Sequence, residues 1–226
     1  MPTIRVDMHS HTDYSRDSVI APETMVERYQ RAGIDAVCVT DHDTIEGALE
    51  LQRIAPFRII VGEEISTTDG ELIGLFLGER IEPGRSAEET VTAIHSQGGI
   101  IVVPHPFDRF RRHRLSEEAL ERAATFVDAV EVFNSRTLLA GDNARAAAWA
   151  RARGLPMGCG SDAHTPGEIG KAHVEMPPFG DAREFLAALR QGAVAGRRSN
   201  PLLRVLTTPT RWRRRSHDPN SRAAVP

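Results

Sequence analysis

Residues able to bind metal or move protons recur in short, spaced groups. Asp7-Met8-His9-Ser10-His11 opens the chain, with Asp17 shortly after it. Then follow Thr40-Asp41-His42-Asp43, Glu63-Glu64, Pro104-His105-Pro106 and Ser161-Asp162-Ala163-His164. In an extended segment His9 and His11 share a face, as two imidazoles on one ion must. The donor set is imidazole and carboxylate without thiolate, which favours zinc, manganese or iron over a structural thiolate zinc. It also holds more donors than one tetrahedral ion can use. Two or three divalent ions with shared carboxylates are therefore expected, an arrangement suited to holding attacking and leaving oxygens in phosphoryl transfer.

The elements that must position these groups alternate. Short apolar runs at Ile4–Met8, Asp35–Thr40, Phe57–Val61, Leu72–Leu77, Ile100–Val103, Ala129–Phe133 and Pro156–Gly158 read as strands. Helical patterns fall at Pro22–Ala32, Thr44–Arg53, Ser86–Gln97, Ser116–Ala124, Leu139–Arg153 and Ala182–Gln191. Five of the nine histidines follow a strand, at the edge where α/β sheets and barrels place active sites. The alternation predicts a largely parallel sheet of about seven βα units, closed or nearly closed, with an open doubly wound sheet as the alternative.

At 226 residues and a net charge of −3, one domain is expected, and no overall charge advertises nucleic acid or membrane. From Pro209 onward the sequence is polar, with Arg211, Arg213, Arg214, Arg215 and Arg222 against Asp218 alone. The expectation is a domain over 1–208 and a basic tail over 209–226, leaving an acidic body suited to cations. Cys38 and Cys159 lie in apolar runs without thiolate-motif spacing and read as reduced core residues. No signal sequence and no apolar run of about 18 residues is evident, so a cytoplasmic location is expected.

The motifs DMHSHTDYSRDS, TDHDT, GEEIS, PHPFD, EVFNSR and GSDAHT resemble, in order and rough spacing, the polymerase and histidinol phosphatase (PHP) family of metal-dependent phosphoesterases. The resemblance covers about residues 3 to 200 and implies a distorted (βα)7 barrel with a trinuclear centre. It implies His9, His11, Glu64 and Asp162 at a first metal, and Glu64 bridging to a second held by His105. Asp17, His42 and His164 would bind a third. Glu64 is chosen over Glu63 because the family's glutamate precedes an Ile-Ser pair, here Ile65-Ser66. Many relatives place a histidine before the fourth strand, where this chain has Glu71. Glu71 is a candidate substitute ligand, the alternative being an exposed residue at a strand entrance.

The chemistry expected is hydrolysis of a phosphate ester by hydroxide on these ions, carried by His9, His11, Glu64 and Asp162. The substrate would be a phosphorylated small molecule, a nucleotide or a short nucleic-acid end. Arg136 is the first candidate for a phosphate clamp, and Arg109, with Arg111 and Arg112, the next. Two other readings remain open: a non-catalytic metal-binding accessory domain, and an exonuclease gripping nucleic acid with its basic tail.

Overall fold

The structure, a computed structural model, describes residues 2–206; the expected boundary at 208 and the Arg-rich segment lie outside the described residues. Nine strands form one sheet in the order β7-β6-β5-β4-β3-β2-β1-β8-β9. These are β1 (Ile4–Ser10), β2 (Ala36–Val39), β3 (Arg58–Thr67), β4 (Gly70–Leu75), β5 (Ile100–Val103), β6 (Ala129–Asn134), β7 (Met157–Gly160), β8 (Ala172–Met176) and β9 (Ala193–Gly196). Helices α1 (Pro22–Ala32), α2 (Glu46–Ile54), α3 (Ala87–Ser96), α4 (Glu117–Ala123), α5 (Ala140–Ala152), α6 (Ala182–Leu189) and α7 (Pro201–Leu206) complete the order.

The sheet curls until its ends nearly meet. Ser10 bridges Ala163 in parallel, His11 N–H donates to Ala163 O (3.1 Å) and Asp162 N–H to His9 O (2.7 Å). The first strand thus forks: its beginning pairs antiparallel with β8, while its end closes a distorted barrel against the segment after β7. Two cores follow from strand alternation. One joins α1–α5 to the outer sheet face, with Tyr29, Val37, Val39, Leu51, Ile94 and Leu120. The other fills the concave face with Val6, Met8, Cys38, Ile60, Ile73 and Val102, plugged by Phe179 and by Phe185 of α6.

The barrel differs from the expected, largely parallel one. The fourth strand runs antiparallel to both β3 and β5, and the pair β8–β9 is antiparallel as well. The last two strands carry no clear strand signal. One alternates buried residues with half-buried His173 and Glu175 over only five positions, and the other is the small-residue run AVAG. Helix limits follow their caps: Pro22 opens α1 and Gly33, at φ 66°, closes it, while Ser86 and Glu89 form a capping box on α3.

Candidate metal centre

His9 of β1 and His11 just beyond it reach the concave face because the strand is bulged. Val6 pairs with Ala36 and Asp7 with Val37, yet Ser10 pairs with Val39, a shift of register between Asp7 and Ser10. Unbroken alternation would put Asp7, His9 and His11 on one face. The bulge instead sends Asp7 outward, where Tyr29 OH of α1 donates to its Oδ2 (2.9 Å), and turns His9 and His11 inward. Asp7 Oδ1 accepts the N–H of Ser161 (2.9 Å) and lies 3.3 Å from that of His9.

Inside, the candidate ligands converge from β1 and β3 and from the segments that follow β1, β2, β5 and β7. His9 Nε2 and His11 Nε2 lie 3.0 Å apart. Glu64 Oε2 lies 3.2 Å from His9 Nε2, 3.3 Å from His11 Nε2 and 3.5 Å from His42 Nδ1. Its other oxygen, Oε1, lies 3.0 Å from His105 Nε2. Asp162 Oδ1 stands 3.7 Å from His9 Nε2 and 3.4 Å from both His11 Nε2 and His164 Nδ1. Asp17 Oδ2 stands 3.2 Å from His164 Nε2 and 3.6 Å from His42 Nε2.

Glu71 belongs to the same cluster. The third strand continues beyond Glu64 to Thr67, and β4 returns beside it with Glu71 opposite Ser66. Because β4 is antiparallel, its beginning lies at the same edge as the ends of the parallel strands, on the face that carries Glu64. Glu71 is 4 % exposed, and its Oε1 is 3.8 Å from His42 Nδ1, so it is no surface residue at a strand entrance. Alternation also separates the two glutamates of β3: Glu63 faces away and accepts the N–H of Ile81 (2.8 Å).

Among the described residues, donor atoms close enough to share an ion fall into three overlapping groups: His9, His11 and Glu64; Glu64, Glu71 and His105; and His11, His42 and His164. These residues fit divalent cations on a second count. Buried His42 Nδ1, His164 Nε2, Asp17 Oδ1 and Asp162 Oδ1 have no hydrogen-bond partner among the described residues, although buried polar atoms are normally satisfied. His105 and Asp162 are also held at positive φ, 29° and 51°. Side chains there are strained, a cost that clusters at functional sites.

The electrostatics of the protein groups alone are lopsided. Burial pulls the His9 pKa down, but Glu64 and Glu131 outweigh it and push it up to about 10. Burial likewise opposes the charge on His42, while Glu64 and Asp17 carry it to about 9. Burial and His164 hold His11 well below the usual range, and burial with Arg136 takes His164 down to about 3. Glu71 is raised to about 7 by burial and by the charge of Glu64. Burial opposes ionisation of Glu64 and Asp17 too, yet the surrounding imidazoles keep both well below the usual carboxylate range.

Several partners carry no metal-motif signal. Glu131 Oε1 lies 3.1 Å from His9 Nδ1, and its Oε2 accepts from the N–H of His105 (2.8 Å) and Nδ2 of Asn134 (3.0 Å). Glu168 is fully buried; its Oε2 accepts from the N–H of His164 (3.1 Å) and of Thr165 (2.9 Å), and its Oε1 lies 3.2 Å from Arg136 Nε. Arg136 is thus buried beside His164. Arg109 is turned elsewhere: its guanidinium binds Asp142 at the start of α5 (2.8 Å) and is 62 % exposed. Among the described residues it touches no expected ligand, and it is Arg111 that reaches Asp162.

Asp41 and Asp43 do not hydrogen-bond the His42 ring. Asp41 accepts from Thr12 and Ser15, fixing the turn that places Ser15 Oγ 3.2 Å from His11 Nδ1. Asp43 accepts from Ser66 N–H and OH. A cavity of about 430 Å³ between α5 and β9, lined by Phe133, Ala144, Met157 and Val194, contains none of the converging ligands.

A barrel gathering histidines and carboxylates at one strand edge defines an α/β class able to hold metal ions, and comparison gives it a family. Residues 7–131 match the PHP domain and residues 140–194 the PHP-associated C-terminal region, so the chain belongs to the PHP family. Two uncharacterised proteins of Methanocaldococcus jannaschii are similar. One is 34 % identical over 199 residues, covering 83 % of this chain and 79 % of the relative. The other is 37 % identical over 145 residues, covering 58 % and 82 %. A two-domain protein of Bacteroides vulgatus, described as containing a predicted PHP-like metal-dependent phosphoesterase, shares the fold with a TM-score of 0.70 at 19 % identity. The match covers 87 % of this chain and spans 65 % of that protein.

Proposed function

We propose that this chain is a metal-dependent phosphoesterase that hydrolyses a phosphate ester of a small molecule, a nucleotide or an oligonucleotide end. The observation that carries the reading is Glu64. One of its oxygens faces His9, His11 and His42, and the other faces His105. A carboxylate divided in this way suits a bridge between two ions, the arrangement that serves in-line displacement at phosphorus.

His9, His11, Glu64 and Asp162 would hold one ion, Glu64, His105 and Glu71 a second, and Asp17, His42 and His164 a third. Once bound, such ions act as Lewis acids on phosphate oxygens and acidify water into a nucleophile near neutral pH. Imidazole with carboxylate suits zinc, manganese or iron. The chain's own part is to keep these donors dry and fixed. Their burial strengthens every charge interaction in the site, and Arg136, braced by Glu168, places a guanidinium beside His164 where it would hold the ester's phosphate.

The test is elemental analysis of protein purified without chelator, beside hydrolysis of an aryl phosphate monoester and diester by wild type and His9→Ala. About two or more equivalents of metal, with hydrolysis that depends on His9, support the reading. Less than about one equivalent after loading with manganese or zinc overturns it.

A further inference from the structure

The two oxygens of Asp162 have different surroundings. Oδ1 points among His9, His11 and His164 and has no hydrogen-bond partner among the described residues. Oδ2 is taken: Asn134 Nδ2 donates to it at 3.0 Å, and the guanidinium of Arg111 is in direct contact with it. The arginine side chain is only 13 % exposed, and its Nε lies 3.7 Å from Asp108 Oδ2.

That guanidinium is delivered by an irregular segment between β5 and α4, the one that also carries His105. Asp108 N–H donates to His105 O (3.1 Å), and Arg111 N–H to Asp108 O (3.0 Å). Asp108 is itself buried, 1 % exposed. The turn is thus anchored at its start to a candidate ligand and ends against another. A cation this far from water is tolerated only when paired, and here the pairing is with the candidate ligand's rear oxygen and with Asp108. The neighbouring Arg109, two residues earlier, turns out to Asp142, so the inward course is specific to Arg111.

The geometry points to Arg111, aided by Asn134, as the positioning residue that makes Asp162 a one-oxygen ligand. By occupying Oδ2 it leaves only Oδ1 for an ion and fixes the carboxylate's rotation. It also offsets carboxylate charge that would otherwise accumulate around the ions. A side chain that holds a ligand in this way commonly contributes about 10- to 100-fold to metal affinity. The inference rests on the metal-centre part of the proposed function and not on the identity of the ester.

Cobalt(II) titration of the full chain tests it, read by affinity, stoichiometry and visible absorption. Four-coordinate cobalt absorbs far more strongly than five- or six-coordinate cobalt, so a carboxylate freed to bind through both oxygens shows in the spectrum. Arg111→Met is expected to weaken the tightest cobalt site about tenfold or more and to lower its absorption per ion. Arg111→Lys, which keeps the charge, is expected to recover part of both, and Arg109→Met to change neither. Thermal unfolding confirms that each variant is folded, and Arg111→Lys carries the test if Arg111→Met is not.

Wild-type affinity and spectrum in both Arg111 variants overturn the inference. If their only defect is weaker binding of inorganic phosphate to the loaded protein, Arg111 belongs to the substrate instead, which overturns it equally. Wild type that binds cobalt but cleaves no phosphate ester refutes the phosphoesterase reading while leaving this comparison intact. Wild type that binds no cobalt, manganese or zinc refutes both.

Discussion

Asp7 and His9 stand two residues apart on one strand and serve opposite faces of the sheet, because the register of β1 against β2 slips between Asp7 and Ser10. The bulge leaves amide groups to be satisfied, and the Asp7 carboxylate meets them by taking the Ser161 N–H and lying near that of His9. Burial raises this carboxyl to about 6 despite those bonds, so its place is maintained against a desolvation cost. Asp7→Ala should strand buried donors, each costing about 1–3 kcal/mol. For a chain of this size each stranded donor lowers Tm by about 2–12 °C. Tyr29→Phe, which removes only the hydroxyl bonded to Asp7 Oδ2, should cost less than Asp7→Ala. Calorimetric unfolding of the two variants checks the order, and equal losses would mean that the carboxylate does not support the bulge.

Glu131 stands behind His9 as Asp7 stands below it. With Oε1 at 3.1 Å from Nδ1, it fixes the ring so that Nε2 faces Glu64 and His11. Glu131→Gln keeps the shape and loses the charge, and should weaken metal binding about 10- to 100-fold. Competition against a chelator of known affinity measures this, and an unchanged affinity would show that ring orientation is set by packing alone.

Metal loading should release protons. In chelator-stripped protein at pH 7, His9 and His42 carry protons, with pKa values of about 10 and 9, whereas a metal takes only neutral imidazole. Glu71, at about 7, adds a further proton below neutrality. The sign is therefore fixed: apparent affinity rises with pH, by about tenfold per pH unit for each proton displaced, and levels off above about pH 10. Calorimetric titrations in buffers of different ionisation enthalpy count the protons. A flat affinity between pH 7 and 9 would show that the two imidazoles are neutral before the metal arrives.

Much of the candidate cluster was legible because its side chains sit at strand ends, where a local pattern of short apolar run and polar terminus reveals them. His42, His105 and Asp162 are of this kind. What the pattern could not show depends on pairing between strands. Glu71 joins the cluster only because β4 runs antiparallel and returns it to the edge occupied by Glu64. His9 and His11 share a face by simple alternation, but which face they share depends on the bulge. Glu131 and Asn134 lie within β6 and Glu168 in the turn before β8 as ordinary polar residues, and their partners are 122, 28 and 4 positions away. Arg109 and Arg111 are alike in sequence, and only the turn at Asp108 distinguishes them.

Glu64 and Glu71 allow the number of ions to be dissected. Glu64 faces two histidine sets through its two oxygens, whereas Glu71 enters only the group with Glu64 and His105. Glu64→Gln should therefore lose about two equivalents of metal, since an amide offers one oxygen and no charge to either ion. Glu71→Gln should lose at most about one and leave the ions at His9 and His164 in place. Glu71 is raised to about 7 by burial and by the charge of Glu64, so its neutral replacement also relieves repulsion in stripped protein, whereas Glu64→Gln removes the carboxylate that protonated His9 and His42 face. The stabilisation gained on loading should fall accordingly, most of all for Glu64→Gln. For wild type, metal at about 100 times its dissociation constant contributes about 2.7 kcal/mol per site, or about 5–11 °C in Tm. Elemental analysis with thermal unfolding, stripped and reloaded, measures both quantities, and equal stoichiometry in the two variants would refute Glu64 as the shared ligand.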